Sequence, residues 1–205
     1  NFHKNSSKPY VIIDVGMNIG LASLLFAARK DVKLVYGYEP FENTYNLAAN
    51  NLILNPDISD KIVMYNYGLD SENKNIKVPF SNEDSLINST SDFFYENYGA
   101  KVDEYIDVKV NKASPIINEI VNSNHGNPIV LKLDCEGAEY NILDDLENSG
   151  EIKNIDIMMI EWHFKGLEPI EAILMRNDYF CVATANKQNP KGGMVYAYRK
   201  NERKY

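Results

Sequence analysis

Cysteine is scarce in this chain, and it has neither a long apolar run nor an excess of basic residues. Only Cys135 and Cys181 occur among the 205 residues, too few and too isolated for the disulfide framework of a small secreted domain. No apolar run approaches the roughly 20 residues of a transmembrane helix, and the N-terminus has no hydrophobic segment typical of a signal peptide. We therefore expect a cytoplasmic protein without a membrane span.

Acidic residues outnumber basic ones, with 29 Asp and Glu against 21 Lys and Arg, for a net charge of −8. Such a field repels phosphate backbones, so nucleic acid is not an expected partner. The composition, 44% hydrophobic and 24% charged, is that of a globular protein rather than a disordered one. The length suits one domain spanning residues 1–205, which is also compatible with a domain cut from a longer polypeptide.

Strand and helix patterns alternate along most of the chain. Helical patterns cover residues 19–29, 138–148 and 169–176, and a further helix is predicted to begin with Ser114 as its N-cap. Another predicted helix has the inner face Tyr45, Ala48, Ala49, Leu52 and Ile53. Strand patterns cover residues 11–15, 33–38, 62–67, 129–134, 155–162, 179–183 and 195–199. Alternation of this kind predicts a doubly wound α/β fold with a mostly parallel sheet, and the last two strands form an antiparallel edge pair.

Residues 71–109 interrupt this alternation. The segment contains short strand candidates at 76–80 and 105–110 and is long for a connection, which usually marks a lid or a binding insertion. Its aromatic residues alternate with acids and could stack on a sugar; they are Phe93, Phe94, Tyr95, Tyr98 and Tyr105. The alternative is a flap that packs its own aromatic side chains over the sheet.

A glycine-containing loop separates the first strand from the first helix. The sequence Asp14-Val15-Gly16-Met17-Asn18-Ile19-Gly20 has the spacing D-x-G-x-N-x-G. Glycines at such a turn let a ligand approach the backbone, and the helix N-terminus directs N–H groups at it. The spacing differs from the G-x-G-x-x-G of dinucleotide enzymes, which argues against an NAD-dependent oxidoreductase.

Acidic residues stand at the carboxyl ends of five predicted strands, which is where ligands bind in a doubly wound sheet. Glu39 lies 19 residues after Gly20, matching the acid that binds a ribose in dinucleotide folds. The alternative for Glu39 is a surface acid that opens the next helix. The full set of strand-end groups is Asp14, Glu39, Asp70, Asp134 with Glu136, and Glu161 with His163.

The strands at 129–134 and 155–162 each carry a pair of chemically active residues. Lys132 and Asp134 share one face of the first, and Glu161 and His163 share one face of the second. If the strands are neighbours, the four side chains converge where a reactant could sit. The alternative is a buried ion-pair network that fixes strand register.

Together with Tyr38-Glu39-Pro40, Leu131-Lys132-Leu133-Asp134-Cys135-Glu136-Gly137-Ala138-Glu139 and Glu161-Trp162-His163, the glycine loop resembles the FkbM-type family of S-adenosylmethionine-dependent methyltransferases. The resemblance covers about residues 11–163 and is poor over 71–109. It implies a class I, Rossmann-like sheet of seven strands and O-methylation of hydroxyls, often on sugars or natural products. Carried over by motif, Asp14, Gly16, Met17, Asn18 and Gly20 would line the methionine end of the cofactor, Glu39 and Pro40 its ribose, and the turn Gly68-Leu69-Asp70 its adenine.

Methyl transfer from a sulfonium to a hydroxyl is an in-line displacement that needs alignment and a base. Asp134 is the first candidate base and His163 the second, since imidazole titrates near neutral pH. Lys132 could lower the pKa of the acceptor or neutralise Asp134 and Glu161. The acceptor pocket is expected to include Glu136, Phe93 and Tyr95.

Three alternatives stay open. Asp134, Glu136, Glu161 and His163 could instead bind Mg²⁺ or Mn²⁺. Lys, Asp and Glu are also found in ribose 2′-O-methyltransferases, but a second Lys is missing and the net charge is wrong for RNA. Finally, the chain could be a non-catalytic interaction module fused to, or acting beside, a glycosyltransferase.

Overall fold

The structure is a computed structural model that describes residues 8–80, 104–185 and 192–200. The strands are β1 Tyr10–Val15, β2 Val32–Tyr38, β3 Ile62–Tyr65, β4 Gly68–Asp70, β5 Lys74–Phe80, β6 Glu104–Lys112, β7 Ile129–Leu133, β8 Ile157–His163, β9 Tyr179–Ala185 and β10 Gly192–Arg199. The helices are α1 Leu21–Ala27, α2 Glu42–Ile53, α3 Pro56–Ser59, α4 Ala113–Ser123, α5 Glu139–Ser149 and α6 Glu168–Arg176, with a 3₁₀ helix at Glu151–Asn154.

Seven strands form the main sheet in the order β3-β2-β1-β7-β8-β10-β9. The first five of these are parallel, and β10 is antiparallel to both β8 and β9. The predicted fold class, with its antiparallel pair at the sheet edge, is confirmed. Because β7 lies between β1 and β8, the carboxyl ends of these three strands meet at one edge, where the predicted strand-end groups stand.

Both faces of the central strand β1 are covered, as an apolar run of this kind predicts. Val11, Ile13 and Val15 belong to one core cluster, which includes apolar residues of α4, α5 and α6. Tyr10 and Ile12 belong to another, which includes residues of α1. In the helix pattern predicted at 138–148, four apolar residues are buried: Ala138, Ile142, Leu143 and Leu146.

The predicted inner face of α2 was partly wrong. Thr44 and Ala48 are buried and Leu52 is partly buried, whereas 74% of Ile53 is exposed. The inner face follows i, i+4 spacing from Thr44, and Ile53 projects about 100° away from Leu52 around the helix. Ile53 therefore faces solvent at the end of the helix.

The prediction of a turn at Gly68-Leu69-Asp70 was wrong. These residues form β4, which pairs with β6 in a second sheet of order β4-β6-β5. Glycine and aspartate are typical of turns, but Leu69 is buried in the main core, and burial by distant residues outweighs local turn preference. The strand candidates inside residues 71–109 are confirmed as the antiparallel pair β5 and β6.

Ser114 is not the N-cap of α4, which begins at Ala113 after Lys112. The backbone N–H of Ser114 donates to Asp145 Oδ2 (2.7 Å), and its hydroxyl contacts Asp145 Oδ1 (3.0 Å). The hydroxyl thus joins α4 to α5 instead of capping its own helix, a long-range role that Ser-Pro at a helix start does not reveal.

Of the five aromatic residues predicted to bind a sugar, the structure describes one. Phe93, Phe94, Tyr95 and Tyr98 lie outside the described residues, so their role stays a prediction. Tyr105 lies on β6 and is exposed. Within the described ranges, no helix combines the length and the apolar character needed to cross a membrane.

Gly16 and Gly150 allow a matched test of the loop. Both have positive φ (+78° and +81°), but a Cβ on Gly16 would lie 1.7 Å from the Asp134 carbonyl oxygen, whereas a Cβ on Gly150 would meet nothing within 4 Å. We expect Gly150→Ala to lower the free energy of unfolding by about 1 kcal/mol through backbone strain alone. Gly16→Ala should cost about 1–3 kcal/mol more because the loop must move away from β7. Urea unfolding measures both losses, and equal losses would contradict the close packing of the loop.

Candidate functional site

The glycine loop between β1 and α1 is fastened to the end of β2 by backbone hydrogen bonds. The N–H groups of Gly16 and Met17 both donate to the Tyr38 carbonyl (3.1 and 3.0 Å). Asn18 has positive φ (54°), and its side-chain oxygen accepts from the N–H of Ile19 (2.7 Å). The conformation is therefore set by main-chain contacts at the carboxyl ends of the parallel strands.

Met17 and Pro40 each pack against a glycine of a nearby strand. Met17 is buried, and a Cβ on Gly37 would lie 2.3 Å from its sulfur, so the missing side chain of Gly37 makes room for it. A Cβ on Gly68 would lie 3.4 Å from Pro40 Cβ. The Met17 thioether is thus packed against β2, and its backbone is held by hydrogen bonds with Tyr38 and Gly20 (both 3.0 Å).

The Glu39 carboxylate lies at the carboxyl end of β2 and is held by two backbone donors. Oε2 accepts from the N–H of Asn18 (2.9 Å) and Oε1 from that of Phe41 (3.0 Å). Only 4% of the residue is exposed, and this burial raises the pKa of Glu39 to about 7. Within the described part of the chain each oxygen has one donor, which leaves it a lone pair for a further hydrogen bond.

Asp14 and Lys132 form a buried ion pair between β1 and β7. Lys132 Nζ lies 2.9 Å from Asp14 Oδ1, and Ser23 Oγ donates to Oδ2 (2.6 Å). Nζ also donates to the Gly16 carbonyl (3.1 Å) and lies 3.5 Å from Asp134 Oδ2. Burial disfavours the charge on Lys132, but Asp14 and Asp134 outweigh it and raise the pKa of the ammonium.

His163 lies at the end of β8 among three glutamates. Its Nδ1 is 3.1 Å from Glu139 Oε1, and its Nε2 is 3.4 Å from Glu136 Oε2 and 3.9 Å from Glu161 Oε1. Burial lowers the pKa of His163, but the carboxylates outweigh it and raise the pKa to about 9. Burial also raises the pKa of Glu136 to about 7 and that of Glu161 above its usual value. The imidazole is therefore charged at neutral pH.

These two groups of side chains adjoin at the ends of the neighbouring strands β7 and β8. Oxygens of Asp134 and Glu136 and a ring nitrogen of His163 lie within 4.8 Å of one another, a set that could hold a metal ion. The fourth predicted ligand, Glu161, is not part of that set. The side chains of Asp134, Glu136 and Glu161 are 35%, 26% and 42% exposed, whereas those of Lys132 and His163 are 15% and 8% exposed. The carboxylates therefore face solvent and the cations lie behind them.

The Asp70 carboxylate contacts residues outside the Lys132 and His163 groups. Its Oδ1 accepts from the N–H of Ser71 (2.7 Å) and from Asn141 Nδ2 (3.1 Å), and its Oδ2 pairs with Lys74 Nζ (3.0 Å). These partners belong to the second sheet and to α5, and none is part of the Lys132 or His163 groups. A role for Asp70 near an adenine stays a prediction.

Sequence reasoning missed three contributors to the site: Ser23, Gly37 and Glu139. Glu139 stands inside the Asp-Cys-Glu-Gly-Ala-Glu run, at the start of α5, where an acid normally faces solvent and favours the helix dipole. It is instead completely buried. The only sequence signal for Glu139 was its position three residues after Glu136. No sequence pattern predicts its partner, His163 on β8, which lies 24 residues further along the chain.

Comparison with known proteins identifies relatives of the chain. The family model for the methyltransferase FkbM domain matches residues 14–181. The methyltransferase sdnD of Sordaria araneosa is 26% identical over 191 residues, covering 82% of this chain and 72% of that protein. A tRNA1(Val) (adenine(37)-N6)-methyltransferase of Christiangramia forsetii is 30% identical over 118 residues, covering 57% of this chain and 48% of that protein.

Solved structures share the fold. A methyltransferase FkbM from Methylobacillus flagellatus superposes with a TM-score of 0.59 at 18% identity, covering 93% of this chain and 44% of its own; this chain thus spans less than half of that one. A putative tRNA (m1A22) methyltransferase from Streptococcus pneumoniae, in complex with S-adenosyl-L-methionine, gives 0.54 at 12% identity and covers 97% and 70%. With the family match over most of its length, the chain belongs to the methyltransferase FkbM domain family and has the class I fold of S-adenosylmethionine-dependent methyltransferases.

Proposed function

We propose that the chain O-methylates a hydroxyl group of a sugar or glycan and that Asp134 is the general base. The observation that carries this proposal is the position of Asp134: a partly exposed carboxylate at the end of β7, beside the Lys132 ammonium and against Gly16 of the loop. A neutral hydroxyl is a weak nucleophile, so a base within hydrogen-bond reach contributes on the order of 10²–10⁴ in rate.

The residues at the ends of β1 and β2 suit S-adenosylmethionine. When bound, this cofactor supplies a methyl group on a sulfonium centre. The Glu39 carboxylate has one unused lone pair on each oxygen, which fits the two hydroxyls of a ribose. The positive φ values of Gly16, Asn18 and Gly20 shape the loop in front of α1, and we assign the methionine end of the cofactor to it. Gly68 and Leu69 remain candidates for the adenine end.

His163 is a poorer choice of base than Asp134. A pKa of about 9 keeps its imidazole protonated at neutral pH, so it cannot accept a proton there. We assign to His163 the role of a fixed cation that balances Glu136 and Glu161, and to Lys132 the same role for Asp14 and Asp134. The positive charges of Lys132 and His163 already balance much of the negative charge of these carboxylates. We therefore propose that methyl transfer does not require Mg²⁺ or Mn²⁺.

RNA is the main alternative acceptor, because two of the relatives are named as tRNA methyltransferases. The net charge of −8 opposes this, and so do the three carboxylates that face solvent at the end of β7 and β8. Phosphate groups approaching them would be repelled. An uncharged acceptor such as a neutral glycan or a natural product avoids this cost.

The acceptor is tested by incubating the chain with methyl-labelled S-adenosylmethionine and, separately, neutral glycans, natural-product alcohols and total tRNA. We expect label in a glycan and no loss of labelling when EDTA is added. Transfer to tRNA would overturn the acceptor class, and loss with EDTA that Mg²⁺ or Mn²⁺ restores would overturn metal independence. Calorimetry that detects no binding of S-adenosylmethionine or its demethylated product would favour the interaction module.

Substitution of Glu39 tests the ribose assignment. Because hydroxyls donating to the carboxylate favour its ionised form, affinity for S-adenosylhomocysteine should rise about tenfold from pH 6 to pH 8, through the Glu39 pKa of about 7. Glu39→Gln should bind more weakly at pH 8 and lose this slope in calorimetry. A slope that survives in the variant would assign it to another group, Glu136 being the first choice since its pKa is also about 7.

Substitution of Asp134 tests the base. We expect Asp134→Asn to bind S-adenosylhomocysteine within about threefold of the original affinity and to lower turnover of the identified acceptor at least about 100-fold, because the amide cannot accept the proton. Asp144→Asn is the matched control, since Asp144 is an exposed acid on α5 and its change should leave turnover unaltered. Normal turnover in Asp134→Asn would remove this residue as the base.

A further inference from the structure

Glu139 is a completely buried carboxylate whose two oxygens serve two different segments. Oε1 accepts from the backbone N–H of His163 (2.8 Å) and lies 3.1 Å from its Nδ1. Oε2 accepts from the backbone N–H of Gly137 (2.8 Å) and lies 3.7 Å from Cys135 Sγ. One side chain at the start of α5 thus holds both the loop that follows β7 and the end of β8.

The contact with Nδ1 determines how the His163 ring is presented. Both oxygens of Glu139 already accept backbone N–H groups, so Oε1 is placed to accept a hydrogen bond from Nδ1 as well. The other nitrogen, Nε2, then points toward Glu136 and Glu161, at 3.4 and 3.9 Å. A carboxylate that orients an imidazole in this way fixes both its rotation and its protonated nitrogen.

The contact with Gly137 supports a loop that has an unusual backbone. Glu136 has φ of 53°, a conformation that residues other than glycine rarely adopt, and Gly137 has φ of 110°. Such a conformation persists only where the surroundings hold it, and it is found most often at functional sites. The hydrogen bond from Gly137 to Glu139 is one such restraint, next to the residue whose carboxylate meets His163 Nε2.

We propose that Glu139 is a positioning residue that sets Glu136 and His163 side by side at the acceptor end of the site. The use of these two groups in methyl transfer rests on the proposed function, whereas their placement rests on the contacts of Glu139 alone. An acid in the first turn of a helix could simply favour the helix dipole. That role needs neither complete burial nor a contact with another strand, and burying a carboxylate is unfavourable unless it is paired and hydrogen-bonded.

Nitrogen-15 NMR of the histidine rings tests the placement without knowledge of the acceptor. The chain has three histidines, so His163→Gln identifies the His163 signals. In the unaltered chain we expect both ring nitrogens of His163 to be protonated at pH 7. In Glu139→Gln, which keeps the shape but not the charge, we expect the His163 pKa to fall by about one unit or more and the Nδ1 signal to shift. The remaining groups that face the ring are Asp134, Glu136, Glu161 and Phe164.

Tyr140→Phe is the matched control. The Tyr140 hydroxyl lies 2.8 Å from the His163 carbonyl oxygen and 2.9 Å from that of Gly166, so its loss loosens the same strand end but leaves the carboxylate in place. We expect lower thermal stability in this variant and unchanged His163 ring signals. If Glu139 only stabilised the strand end, the His163 ring signals would shift equally in Glu139→Gln and Tyr140→Phe. Equal shifts would therefore overturn the inference.

Two further results decide between the inference and the proposed function. An unprotonated Nδ1 in the unaltered chain at pH 7 would overturn the role of Glu139, and this measurement needs no variant to fold. Unchanged ring signals in a folded Glu139→Gln would do the same. Calorimetry with S-adenosylhomocysteine is independent of both, because absence of binding to the unaltered chain would count against the methyltransferase proposal while leaving the ring measurement valid.

Discussion

The buried ion pair between Asp14 and Lys132 is the interaction on which the arrangement of this site depends. The two residues are directly opposite each other in the register of β1 and β7, and the Lys132 ammonium also reaches the Gly16 carbonyl and the Asp134 carboxylate. A single cation thus joins the glycine loop, the central strand and the proposed base. Removing one member of a buried pair typically costs about 3–5 kcal/mol, because the other charge is left without a partner. The same ion pair therefore stabilises the fold and fixes the arrangement of the candidate site.

A second cation, the His163 imidazolium, stands in the same relation to the proposed acceptor end of the site. His163 is surrounded by Glu136, Glu139 and Glu161, as Lys132 is by Asp14 and Asp134. In each case the cation is less exposed than at least one of its carboxylates, at 15% for Lys132 against 35% for Asp134 and 8% for His163 against 42% for Glu161. Burial of the cations keeps them from water, so they act on the carboxylates at low effective dielectric. In the proposed function, the exposed oxygens are the groups that an incoming acceptor meets.

The sequence allowed the fold to be predicted, and it selected the residues of the candidate site, because both inferences use short-range patterns. The period of apolar residues predicted the strands, and the rule that ligands bind at carboxyl ends selected Asp14, Glu39, Asp134 and His163. The errors concern residues whose partners are distant in the chain. Leu69 is held in the core despite its turn-like neighbours, and the hydroxyl of Ser114 contacts a side chain 31 residues away. Glu139 was missed for the same reason, since its partner lies on another strand.

The two ends of the site are held in place by different kinds of contact. At the cofactor end, the loop depends on main-chain hydrogen bonds to Tyr38 and on a carboxylate bound by backbone N–H groups. At the acceptor end, Glu136 and His163 depend on charged side chains around one buried glutamate. The hydrogen bonds to Tyr38 join uncharged main-chain groups and do not change with protonation, although Glu39 and Lys132 at the same end are titratable. The side-chain contacts of Glu136 and His163 join titratable groups, so they change with protonation and with any charge on the ligand. Under the proposed function, the acceptor end is therefore the part of the site where a change of substrate and a change of side chains must be matched.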